Sequence, residues 1–68
     1  MEDKQLICDL LAEALKATYD ASDLLSLEYD STFEKVTATF EGGGTRTINV
    51  ALDSGVAMIR DVMRNLGV

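Results

Sequence analysis

The side chain best suited to nucleophilic chemistry is Cys8, the single cysteine among the 68 residues. The reactive form of cysteine is the thiolate, which forms when a histidine, a cation or a helix N-terminus lowers the thiol pKa. The chain has no histidine, and the nearby Asp9 and Glu13 carry negative charge that raises a thiol pKa. We therefore interpret Cys8 as apolar filler on a helix, and we expect no enzyme activity.

Acidic side chains could bind a hard cation, and residues 20–34 hold five of them with no base: Asp20, Asp23, Glu28, Asp30 and Glu34. They lack the alternating spacing, central glycine and terminal glutamate of a calcium loop. One cysteine and no histidine cannot supply the shell of a Cys/His zinc site. We expect no metal and no cofactor, and we interpret the five acids as a solvated edge.

Two glycine-containing segments could approach a phosphate. Asp53-Ser54-Gly55 begins a predicted helix, and the free N–H groups there can bind an anion. Because Asp53 would repel an anion, we favour helix capping by Asp53 or Ser54, which leaves Gly55 unexplained. Gly42-Gly43-Gly44 joins two predicted strands, and no Gly-Lys-Ser/Thr follows it, so we interpret it as a hairpin turn.

The apolar residues follow the spacing of two helices and three strands. Residues 3–19 place nine residues in one arc of about 220° around a helix: Leu6, Ile7, Cys8, Leu10, Leu11, Ala14, Leu15, Ala17 and Tyr19. Residues 54–66 place six in an arc of about 160°: Val56, Met58, Ile59, Val62, Met63 and Leu66. Residues 24–30, 35–41 and 45–52 alternate with period two, which is typical of half-buried strands.

The predicted fold is a single α+β domain over residues 1–68. Its order is α-β-β-β-α, a three-stranded antiparallel meander with two helices packed on one face. A loop at residues 31–34 pairs Asp30 with Lys35, and a turn at the triglycine pairs Glu41 with Thr45 and Val36 with Val50. The predicted core is Leu6, Leu10, Leu25, Leu27, Tyr29, Val36, Ala38, Phe40, Ile48, Val50, Ile59 and Met63, with Thr39, Thr47 and Asn49 exposed on the other sheet face.

The first helix carries about twice the apolar arc that one sheet can cover. A two-fold dimer would bury the surplus by pairing the same patch with itself. The candidate interface residues at the rim of the arc are Leu11, Leu15 and Tyr19, with Met58 or Val62 from the last helix. The alternative is that residues 20–24 fold back and cover this rim within one chain, through Ala21, Leu24 or Leu25.

Charge argues against a nucleic-acid partner. The net charge is −6, and residues 1–34 hold nine acids and two bases. The predicted element order is that of double-stranded-RNA-binding domains, which bind phosphates through lysines at the start of the last helix. Residues 53–58, which occupy that position here, contain no base. No stretch approaches the roughly 20 apolar residues that span a bilayer, and no signal peptide is recognisable. We expect a cytoplasmic protein that binds neither nucleic acid nor membrane.

Residues 47–50 (Thr-Ile-Asn-Val) and 53–62 (Asp-Ser-Gly-Val-Ala-Met-Ile-Arg-Asp-Val) resemble a segment of small uncharacterised proteins of Gram-positive gut bacteria and their prophages. The resemblance implies a bacterial or phage origin and names no activity. The leading hypothesis, which rests on the surplus apolar surface of the first helix and the wide apolar stripe of the last, is a non-enzymatic protein-interaction module that forms a homodimer or binds another protein. The alternative is an acidic inhibitor or nucleic-acid mimic of phage origin that binds a basic host protein.

Overall fold

A computed structural model describes residues 2–68 and confirms the predicted α-β-β-β-α architecture. The three strands form one antiparallel sheet in the order β1-β2-β3. The first helix packs on the sheet, and the second packs on the first helix and on the third strand. The elements are α1 (Lys4–Lys16), β1 (Leu24–Asp30), β2 (Lys35–Phe40), β3 (Thr45–Asn49) and α2 (Gly55–Leu66).

Side-chain caps fix where both helices begin. The Asp3 carboxylate accepts a hydrogen bond from Leu6 N at 3.0 Å, and the Ser54 hydroxyl accepts one from Ala57 N at 3.2 Å. These bonds satisfy backbone donors that have no partner within the helix. Of the two predicted caps for α2, Ser54 is therefore the one used. The first helix ends at Lys16, three residues earlier than predicted.

The first hairpin has the predicted register and one unpredicted irregularity. Asp30 pairs with Lys35, as the loop at residues 31–34 requires. A β-bulge lies between Leu24 and Ser26, so that two residues of β1 oppose one of β2. The bulge reverses the alternation at the start of β1, which buries Leu24 and leaves Leu25 exposed. The prediction that Leu25 lies in the core is therefore wrong.

The second hairpin differs from the predicted register by two residues. Val36 pairs with Ile48 rather than Val50. The turn residues are Glu41, Gly42 and Gly43, and both glycines have φ near +90°, a conformation that other residues rarely adopt. A displacement of two residues keeps every side chain on its predicted face, so Thr47 and Asn49 are exposed as expected and Thr39 is half-buried.

The core contains twelve buried apolar residues: Cys8, Ala12, Leu15, Ala21, Leu24, Leu27, Val36, Ala38, Ile48, Val50, Met58 and Val62. Five of these were predicted to be buried: Leu27, Val36, Ala38, Ile48 and Val50. Four predicted core residues are exposed (Leu6, Leu10, Leu25 and Met63), and Tyr29, Phe40 and Ile59 are half-buried. On α1 the buried line runs through Cys8, Ala12 and Leu15, so the helix turns a different part of its arc toward the sheet.

Candidate interaction surface

Both helices expose apolar side chains away from the sheet. On α1, Leu6 and Leu10 are 51% and 61% exposed, and Ala14 and the C-cap residue Ala17 continue the same line at helical spacing. On α2, Val56 and Met63 are seven residues apart, share one side and are 65% and 36% exposed. These six residues are called the outer helical surface. It is the surplus apolar face that the width of the α1 arc predicts.

Most of the predicted interface residues lie elsewhere. Leu15, Met58 and Val62 are buried in the core of the chain itself, so they cannot contact a second copy, and their assignment to an interface is wrong. Leu11 is half-buried and packs against that core. Only Tyr19 is freely exposed, at 98%, and it lies beyond the end of α1.

The segment after α1 covers the rim that those residues were predicted to offer. Ala21 and Leu24 are buried with Leu15 in the same core cluster. The Thr18 hydroxyl donates to Leu15 O at 2.6 Å and accepts from Ala21 N at 3.2 Å, which turns the chain back toward the sheet. The alternative explanation, in which residues 20–24 fold back, therefore holds for this end of the arc.

Gln5 sets which side of α1 faces the sheet. Its side-chain oxygen accepts a hydrogen bond from Tyr29 N at 2.8 Å, and its side-chain nitrogen donates to Leu27 O at 3.3 Å. One amide thus pairs with the outer edge of β1 as a residue of a neighbouring strand would. The bonds orient α1 so that Leu6 and Leu10 point away from the sheet.

The N-terminus of α2 already holds an anionic group. Both carboxylate oxygens of Glu2 lie 3.0 Å from Gly55 N, where an external anion would bind. A Cβ at Gly55 would meet the Glu2 carboxylate and lie 2.8 Å from the Ile7 side chain. This close approach explains the glycine that capping left unexplained. It also means that a ligand would have to displace Glu2.

The thiol of Cys8 is buried on the sheet side of α1. Burial and the negative charge of Asp9 raise its pKa to about 11. At neutral pH the group is therefore a protonated thiol with no access to solvent, as its interpretation as apolar filler requires.

Asp53, which precedes α2, and Asp61, in the second half of that helix, carry interacting carboxyl groups. A hydrogen bond with Asp61, burial, and the negative charge of Asp61 raise the pKa of Asp53, and Lys4 opposes them. The Asp53 Oδ2 atom is buried without a hydrogen-bond partner. The negative charge of Asp61 therefore disfavours the ionised form of Asp53.

The cleft beside the N-terminus of α1 has a volume of about 530 Å³ and opens to solvent. Its single cation, Lys4, donates to Asp53 O at 2.8 Å and lies 5.5 Å from the Tyr29 ring centroid. The other lining residues are Glu2, Asp3, Gln5 and Ser31. The cation and both carboxylates of the cleft are therefore already engaged within the chain.

No three potential metal ligands among residues 2–68 lie close enough to hold an ion. Neither helix described is long and apolar enough to cross a membrane. No family model, curated protein or solved structure matches the chain.

Proposed function

We propose that the protein is a non-enzymatic protein-interaction module that self-associates through its outer helical surface. The exposure of Leu6 and Leu10, on a helix whose other side buries Cys8, Ala12 and Leu15, is the observation that carries the proposal. Exposed apolar patches on small soluble domains mark contact sites more often than chance. Val56 and Met63 are further exposed apolar side chains, on the second helix.

Size supports self-association as the use of this surface. A chain of 68 residues buries only about 60% of the surface that it exposes when unfolded. It has one cysteine, which is buried and cannot form a disulfide within the chain. A second copy that covers Leu6 and Leu10 adds apolar burial that one chain does not supply. An isologous pair is the commonest solution.

The test compares two charge substitutions at leucines of similar exposure. Leu10→Glu places a carboxylate in the proposed contact, and Leu25→Glu places one at the bulge of β1, where the leucine is 49% exposed. Mass is measured by light scattering across a dilution series. Leu10→Glu is expected to raise the dissociation constant of self-association tenfold or more, because it removes the free energy of burying one leucine side chain. Leu25→Glu should leave the dissociation constant unchanged. A wild-type protein that has the mass of one chain at tens of micromolar would refute the proposal.

A second candidate, an acidic inhibitor or nucleic-acid mimic, is favoured by the uncompensated charge of residues 20–34. Among residues 2–68 the one ion pair within 4.0 Å joins Asp61 to Arg64, so the five acids of that segment have no cationic partner. Its test is capture of a basic protein at low salt. Capture should be lost in a Glu28→Gln, Asp30→Asn variant and retained in Leu10→Glu. Equal capture by both variants would exclude this role.

A further inference from the structure

Two hydrogen bonds establish the pairing pattern of β3. Phe40 N donates to Gly44 O at 2.8 Å, and Val50 N donates to Glu34 O at 3.0 Å, at the two ends of the β2–β3 ladder. In an antiparallel ladder, residues that bond to the neighbouring strand alternate with residues that do not. The even-numbered residues of β3 therefore direct their N–H and C=O groups at β2, and the odd-numbered residues direct theirs outward.

The outward-facing residues are Thr45, Thr47 and Asn49, and all three are exposed. Within residues 2–68, β3 has β2 as its one neighbour in the sheet, and no backbone hydrogen bond outside the helices and strands involves these three residues. A row of free backbone donors and acceptors on an edge strand is a template for another strand. Such pairing adds backbone hydrogen bonds without requiring a pocket.

The other edge of the sheet is closed at its centre. Gln5 occupies the Tyr29 N–H and the Leu27 C=O on the outer side of β1. A second copy therefore cannot add its β3 to this β1 without displacing that amide, which disfavours head-to-tail growth. Pairing of β3 with the β3 of a second copy is the strand contact that remains open.

The β3 sequence is complementary to itself. In an antiparallel pair centred on Thr47, Thr45 lies opposite Asn49 of the second copy, and Arg46 lies opposite Ile48, so no like charges meet. Residues 42–52 contain one base and no acid, in a chain whose net charge is −6. This edge therefore carries little of the negative charge that makes two copies repel each other.

We propose that β3 is a self-association edge, at which two copies pair their third strands about a two-fold axis at Thr47. The two sheets then become one six-stranded antiparallel sheet. This contact goes beyond the proposed function, because it lies in the plane of the sheet and uses none of the outer helical surface.

The test uses opposite charges at Thr47, whose side chain is exposed on the face of the sheet that carries no helix. Thr47→Glu and Thr47→Lys each place like charges face to face across the axis. Each variant alone is expected to raise the dissociation constant about fivefold, and an equimolar mixture should restore wild-type association. Circular dichroism confirms that each variant folds. Equal association of both variants and the wild type would overturn the proposal.

Amide hydrogen exchange provides an independent readout. The amides of Thr45, Thr47 and Asn49 should be protected at high protein concentration and lose protection on dilution, whereas Arg46 and Ile48 stay protected. Leu10→Glu separates this edge from the helical contact, since protection of the three outward amides should persist in that variant. Unprotected outward amides in the concentrated wild-type protein would refute the β3 contact whatever Leu10→Glu does.

Discussion

The carboxylate of Glu2 accepts a hydrogen bond from the backbone N–H of Gly55, with both oxygens 3.0 Å from the nitrogen. The contact joins the start of the chain to the start of α2, across 53 positions in sequence. It places a negative charge at the positive end of the helix dipole. It also requires that no side chain project from residue 55 toward Ile7.

Gly55→Ala is expected to destabilise the protein by about 1–3 kcal/mol, the usual cost of forcing extra volume into a packed contact. Its Cβ would meet the Glu2 carboxylate and the Ile7 side chain. Gly44→Ala is the matched control, because a Cβ there has no atom within 4 Å and the backbone φ is not positive. Urea unfolding measures both variants. Equal midpoints would show that the close approach at Gly55 is not required.

Cys8 is expected to resist modification while the protein is folded. Its thiol is buried, and burial with the Asp9 charge raises its pKa to about 11, so little thiolate exists at pH 8. Labelling by a soluble disulfide reagent should therefore be slow in buffer and fast in concentrated urea. A native labelling rate close to the rate in urea would contradict the burial of this side chain.

The fold could be predicted from the sequence because strand alternation and turn positions agree with each other. The register of the second hairpin could not, since a shift of two residues leaves every side chain on the same face and alternation cannot detect it. The bulge at Leu25 was hidden for a related reason. Leu24 and Leu25 are both apolar, so either could have been the buried member.

The interaction surface was predicted in kind but not in position. An apolar arc of about 220° on α1 shows that the helix has surplus apolar face, and it does not show which part the sheet covers. That choice depends on Gln5, whose amide bonds to β1 lie 22 and 24 positions away in sequence. The covering of Leu15 by Ala21 and Leu24 likewise depends on a turn that has no strong sequence signal.

Asp61→Asn is expected to stabilise the protein at neutral pH. In the wild-type protein, the hydrogen bond and the negative charge of Asp61 raise the pKa of Asp53, so the folded state favours a protonated Asp53. A raised pKa contributes stability below the unfolded value, about 3.9, and that contribution is lost as the pH rises through the folded value. The gain from Asp61→Asn should therefore be larger at pH 7 than at pH 3.5.

The control for this substitution is Glu13→Gln, which removes the same charge from an exposed position on α1. Chemical denaturation at the two pH values measures both variants. If Glu13→Gln and Asp61→Asn stabilise equally, the effect is one of net charge and not of the carboxyl pair. A destabilised Asp61→Asn at pH 7 would contradict the repulsion.

Leu52→Gly is expected to stabilise the protein by about 1 kcal/mol, although it deletes a leucine. Asp53 N donates to Val50 O at 3.1 Å, which closes a four-residue turn whose third residue, Leu52, has φ of +66°. A left-handed conformation costs a residue with a Cβ roughly 1–2 kcal/mol, and glycine adopts it freely. Because Leu52 is 97% exposed, its side chain adds little to the core in return.

Ala51→Gly in the same turn is the control, because residue 51 has no positive φ to relieve, and this variant should be neutral or destabilising. Urea midpoints that fall equally for both variants would show that Leu52 is not strained.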